Sequence, residues 1–168
     1  MIEIRGNLFD QKADVLCITT NGFVKSDGRS VMGRGCALEA SRRWPDLPAV
    51  LGQMIRAHGN HVHWLAPGHP GLVSFPVKPV SVVYDGRNAV RHMVSKFKIG
   101  DTVPGWAAIA DPAVIEQSAR ELAALATKTD WKKVVLPRPG CGAGELKWEN
   151  VRNILSPILD DRFAVITF

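Results

Sequence analysis

Two glycine-rich segments hold the residues best suited to chemistry in this chain: Val31-Met32-Gly33-Arg34-Gly35-Cys36 and Pro139-Gly140-Cys141-Gly142-Ala143-Gly144-Glu145-Leu146-Lys147-Trp148. Each follows a short apolar run and precedes a helix-like pattern. A strand that turns through glycines into a helix leaves unpaired backbone N–H groups at the positive end of the helix dipole, which suits phosphate. Two such turns predict a ligand with more than one anionic group, gripped from both sides. Lys78 ends the apolar run Ser74-Phe75-Pro76-Val77-Lys78. A partly desolvated amine there would serve as a nucleophile or as an electrophilic partner for a ligand oxygen; the alternative is a solvated lysine at a strand end. Glu145 is the only carboxylate in the second segment, and it reads either as a general acid or base or as a cap for the following helix.

Other chemistries lose ground on spacing. Gly33-Arg34-Gly35-Cys36-Ala37-Leu38 lacks the third glycine of a dinucleotide fingerprint, and neither glycine segment ends as a P-loop does. Neither HExxH nor GxSxG occurs. His58, His61, His63 and His69 cluster in sequence, but no carboxylate or cysteine completes a ligand set, so no metal is expected. The three cysteines, Cys17, Cys36 and Cys141, form no CxxC and suit a reducing compartment. Cys17 reads as a core residue, and neither Cys36 nor Cys141 has a nearby histidine to activate it.

The elements that must position these residues alternate along the chain. Ile2 to Arg5, Val15 to Thr19, Lys133 to Pro137 and Phe163 to Phe168 read as strands, and Val62 to Ala66 with Leu72 to Phe75 as a strand pair. Helices are expected from Gly35 to about Arg43 and from Pro48 to about His58. A third starts at an Asp111 cap with Pro112 in its first turn, its buried stripe being Ile115, Ala119, Leu122 and Ala126. A fourth carries Trp148, Val151, Leu155 and Ile158 and is kinked or ended by Pro157. Residues 79 to 110 are broken by Gly86, Gly100 and Pro104-Gly105, and read as a strand from Ser81 to Tyr84 plus a loop or short helix. Strands alternating with helices predict an α/β fold, a three-layer α/β/α sandwich, as a single domain over 1–168. With 168 residues, 46% hydrophobic and 22% charged, the chain has the composition of a globular protein. The net charge of +5 favours anionic partners such as a nucleotide or nucleic acid, and no basic block forms a tail. No apolar leader or spanning run is present, so a cytoplasmic monomer away from membranes is expected.

Four ordered stretches resemble the macrodomain family: Arg5-Gly6-Asn7-Leu8-Phe9, Cys17-Ile18-Thr19-Thr20-Asn21-Gly22, Val31 to Gly35 with its helix, and Gly140 to Gly144. The branch they are most similar to includes the terminal ADP-ribose glycohydrolases and the DarG antitoxins, which remove ADP-ribose from DNA. Only residues 80 to 110 stay unmatched. The resemblance implies a six-stranded, mixed and mostly parallel sheet between helices, with an ADP-ribose cleft at the carboxyl ends of the central strands. It implies that Val31, Met32, Gly33, Arg34 and Gly35 hold one side of the diphosphate. Pro139, Gly140, Cys141, Gly142, Ala143 and Gly144 would close over the other side. Asn21, beside Thr20, resembles the family asparagine that bonds the distal ribose. Asn7, before Leu8, stands where many macrodomains carry an aspartate that accepts from the adenine amino group. Lys78 matches a lysine in a Phe-Pro-Thr-Lys stretch, and related glycohydrolases can carry an aspartate where Gly144 stands.

Three functions are therefore expected to compete, all without a cofactor. The first is hydrolysis of the bond between the distal ribose C1″ and an acceptor on protein or nucleic acid, with Lys78 and Glu145 as catalytic candidates. The second is removal of phosphate from ADP-ribose 1″-phosphate. The third is ADP-ribose binding without turnover, which the missing aspartate at position 144 would suit.

Overall fold

A computed structural model describes residues 1–167. Six strands form the main sheet: β1 (Ile2–Arg5), β2 (Val15–Asn21), β3 (Trp64–Ala66), β4 (Gly71–Lys78), β7 (Val134–Pro137) and β8 (Phe163–Thr167). Their order is β1-β8-β7-β2-β4-β3, every neighbouring pair being parallel except β3 with β4. The helices are α1 (Gly35–Arg43), α2 (Leu47–His58), α3 (Pro112–Lys128) and α4 (Trp148–Leu155). A separate two-stranded ribbon pairs β5 (Ser81–Val83) with β6 (Thr102–Pro104).

Period-two alternation sends each central strand into two cores. Val15 and Cys17 of β2 pack with Val134, Leu136, Phe163 and Val165 under α3 and α4, whereas Leu16 and Ile18 pack with Val135, Ala164 and Ile166 under α1 and α2. Helices therefore cover both faces of the sheet, as the alternating pattern predicts. The α3 expectation holds in detail: the Asp111 carboxylate accepts from the Ala113 N–H at 2.8 Å, and Ile115, Ala119, Leu122 and Ala126 are fully buried.

One element runs past its expected end, and one segment keeps its expected strand and short helix but adds to them. β4 runs on through Pro76 to Lys78 and is buried along its whole length. Proline is tolerated because the Ser74 N–H donates to His63 on the β3 side, and two residues later the Pro76 nitrogen faces the same side past the end of β3. Residues 79–110 contain, besides the ribbon, a 3-10 helix at Arg91–Lys96 and their own small core of Tyr84, Ala89, Val103, Ala107 and Ala108. This excursion leaves and re-enters at one place, where the Asp111 N–H donates to the Val77 carbonyl at 2.9 Å.

α2 also props up the first glycine segment. An ideal Cβ on Gly52 would lie 1.9 Å from the Gly28 carbonyl oxygen, so only glycine lets the loop before Val31 cross the helix. Gly52→Ala is expected to destabilise by about 1–3 kcal/mol in chemical denaturation.

Candidate functional site

A cleft of about 320 Å³ crosses the carboxyl ends of β7, β2 and β4. Its floor is built by a slip in register, Thr20 pairing with Pro76 but Asn21 with Lys78, a bulge that brings Asn21 and Lys78 to the sheet edge together. Asn21 ties that edge to the first glycine loop: its Nδ2 donates to the Val31 carbonyl at 2.9 Å, and its Oδ1 accepts from the Phe23 N–H at 3.0 Å. One amide hydrogen and one lone pair remain for a ligand. Beside it the buried Thr20 hydroxyl lines the cleft with no hydrogen-bond partner among the described residues. A buried hydroxyl without a partner marks a place for a polar ligand atom or water.

The glycines divide into two kinds. Gly33, Gly35 and Gly142 line the cleft, and a Cβ on any of them would meet nothing within 4 Å. Their bareness keeps the cleft open; Gly35, at φ +56, starts α1, whose first N–H groups lack intrahelical partners. Gly140 and Gly144 are required by packing. Gly140 sits at φ +73, and a Cβ on Gly144 would lie 2.5 Å from the Gly140 carbonyl oxygen.

Lys78 lies where the two loops meet, only 7% exposed. Its Nζ donates to the Ala143 carbonyl at 2.9 Å, with the Trp106 carbonyl at 3.4 Å. Burial lowers its pKa to about 8, partly offset by the charge of Glu145 and reinforced by Arg34. The lining supplies Arg34, Lys78 and Arg138 as cations and, among the described residues, contains no carboxylate. That electrostatic balance suits a dianionic ligand.

Among the expected residues, Thr20, Asn21, Val31, Gly33, Arg34, Gly35, Lys78, Gly140, Gly142, Ala143 and Gly144 come together around the cleft. Others do not line it. Asn7 caps the 3-10 turn Leu8–Asp10, its Oδ1 accepting from the Phe9 N–H at 2.9 Å. Leu8 and Met32 are core residues under α1. Pro139 and Cys141 are joined to each other, the thiol donating to the Pro139 carbonyl at 3.5 Å. The Glu145 carboxylate, expected to be an acid, a base or a helix cap, instead accepts from the Arg91 backbone N–H at 3.0 Å. Burial pushes the Cys36 thiol up and the Cys141 thiol to about 11, so neither is a ready nucleophile.

The cleft also holds residues that sequence reasoning missed. Arg138, directly before the second glycine loop, stacks its guanidinium 5.0 Å over Trp148 and bonds Glu3 at 3.2 Å. A cation between Pro137 and Pro139 was a readable signal. Thr19, Cys36, Ala37 and Val77 flank expected residues in sequence. Val90, His92 and Trp106 come from the excursion and carry no motif at all.

No protein-family description matches this chain, and no curated protein matches it in sequence. Solved structures do. The macrodomain of Mycobacterium tuberculosis DarG superposes with a TM-score of 0.68 at 23% identity, over 96% of this chain and 92% of that one. The macrodomain of Thermus aquaticus DarG gives 0.71 at 18%, over 99% and 97%. Thermosipho africanus DarTG in complex with ADP-ribose gives 0.69 at 17%, over 98% of this chain and 41% of that one. The fold is therefore that of a macrodomain.

Proposed function

We propose that the cleft binds ADP-ribose and that Lys78 cleaves the bond between the distal ribose C1″ and its acceptor. The observation that carries this reading is the Lys78 amine, desolvated beside the two glycine loops and held by the Ala143 carbonyl. Complementary support comes from the three cations of the lining and from the solved structure of T. africanus DarTG, which contains ADP-ribose.

In this mechanism the neutral amine attacks C1″, and the bond to the acceptor breaks with its electron pair leaving on the acceptor atom. Water then displaces the amine, so that overall C1″ gains a hydroxyl group and the acceptor a proton. A pKa near 8 leaves roughly one tenth of the amine neutral at pH 7. Turnover is therefore expected to rise about tenfold per pH unit below 8 and to level off above it. A rate that falls through pH 8 would assign the active form to the ammonium instead.

The absence of a carboxylate from the lining favours a second reading, a binder that holds ADP-ribose without turnover. Calorimetric titration with ADP-ribose tests the shared premise, and no heat at millimolar ligand would overturn both readings. Release of ADP-ribose from modified protein or DNA identifies the hydrolase. Phosphate release from ADP-ribose 1″-phosphate would redirect the assignment to that substrate, and binding alone would leave the reader.

A further inference from the structure

Residues 79–110 are fastened to both glycine loops. On one side the Glu145 carboxylate accepts from the Arg91 N–H at 3.0 Å, with the Arg91 Nε at 3.7 Å from its other oxygen. On the other side the Arg34 guanidinium donates to His92 Nε2 at 3.1 Å. Val90, His92 and Trp106 of the same segment face the cleft, and the Trp106 carbonyl stands 3.4 Å from the Lys78 amine. The excursion thus bridges the cleft from the second loop to the first and adds a third wall.

The backbone of Glu145 is the telling feature. It adopts φ +62, one of two non-glycine residues in the left-handed region among the described residues, in a loop otherwise rich in glycine. Glycine there would avoid the conformational cost, so the retained side chain points to a task. Its partner is the backbone N–H of Arg91, whose own side chain is 91% exposed, so the tie fixes the segment rather than forming a buried ion pair.

We propose that Glu145 and His92 are positioning residues that clasp the 79–110 segment across both glycine loops, so that a bound ADP-ribosyl group leaves only when the clasp parts. The clasp rests on the reading of the cleft as an ADP-ribose site. Glu145→Gly suits the left-handed backbone and removes the tie, so it is expected to fold at least as stably as the parent chain. Glu145→Gln keeps an oxygen that can accept from Arg91, and His92→Ala opens the other side.

Stopped-flow measurement of ADP-ribose dissociation provides the test. Glu145→Gly and His92→Ala are each expected to speed release about tenfold with association little changed, while Glu145→Gln stays within about threefold of the parent. Hydrogen exchange in ligand-free Glu145→Gly is expected to quicken at residues 90–96 while β2 and α3 keep their protection. Unchanged release in Glu145→Gly and His92→Ala would overturn the clasp alone. A parent protein that binds no ADP-ribose would overturn the clasp and the reading beneath it.

Discussion

Replacing Lys78 by methionine is expected to cut ADP-ribosyl turnover by at least about 100-fold while lowering ADP-ribose affinity by about tenfold or less, through the loss of one of the three lining cations. Among the described residues the amine meets only backbone carbonyls, so its removal leaves the two glycine loops in place. The same change is expected to stabilise the fold. Burial lowers the Lys78 pKa from 10.5 to about 8, so between those values the unfolded chain binds the extra proton. Wild-type stability should therefore rise with pH from 8 to 10.5, and below pH 8 the folded state bears the full cost of a buried ammonium, about 3 kcal/mol. Thermal unfolding at several pH values checks both parts: Lys78→Met should melt higher at pH 7 and lose that rise. Turnover unchanged in the variant would remove Lys78 from the mechanism.

The second large effect separates two glycines of one loop. At Gly144 a Cβ would stand 2.5 Å from the Gly140 carbonyl oxygen and 2.6 Å from Ala110 Cβ, and neither neighbour is a flexible tip. Gly144→Ala is expected to cost about 2–4 kcal/mol and to lower ADP-ribose affinity by about 100-fold or more, because the loop must reshape. Gly142→Ala meets nothing within 4 Å, so its melting temperature should match wild type. Its methyl group instead enters the cleft, and affinity should fall about tenfold through lost ligand contact alone. Equal stability losses at both positions would contradict this division. The clash at Gly144 also means that an aspartate, as related glycohydrolases can carry there, has no room in this loop as it stands.

Much of this is legible in the sequence alone, where local chemistry and tertiary packing agree. The Asp111-Pro112 start and its four buried residues define α3 because cap, proline and stripe reinforce one another. β2 was readable because a strand covered on both faces is apolar throughout. Pro76 hid the last part of β4, since the rule against proline in central strands assumes a partner on each side and β3 ends too early to be one. The excursion was legible only in part: the strand at Ser81 and a short helix could be read, but β6 and the small core depend on contacts between residues far apart in the segment, such as Ile109 with Asn88. The two glycine loops were visible as loops, but which glycines have open space beside them and which pack against Ala110 depends on tertiary neighbours. Asn7 and Glu145 show the same limit, because a polar side chain near a cleft can be claimed by a backbone N–H that only the folded chain supplies.

The hydrogen bond that joins positions 77 and 111 has a consequence for how such a domain diversifies. Both ends of the excursion meet at that seam, and its small core is its own, so the stretch between can lengthen, shorten or be exchanged while the sheet keeps its register. Selection can then rework the rim around the Lys78 amine as a detachable part, with the sheet and the two glycine loops left as they are.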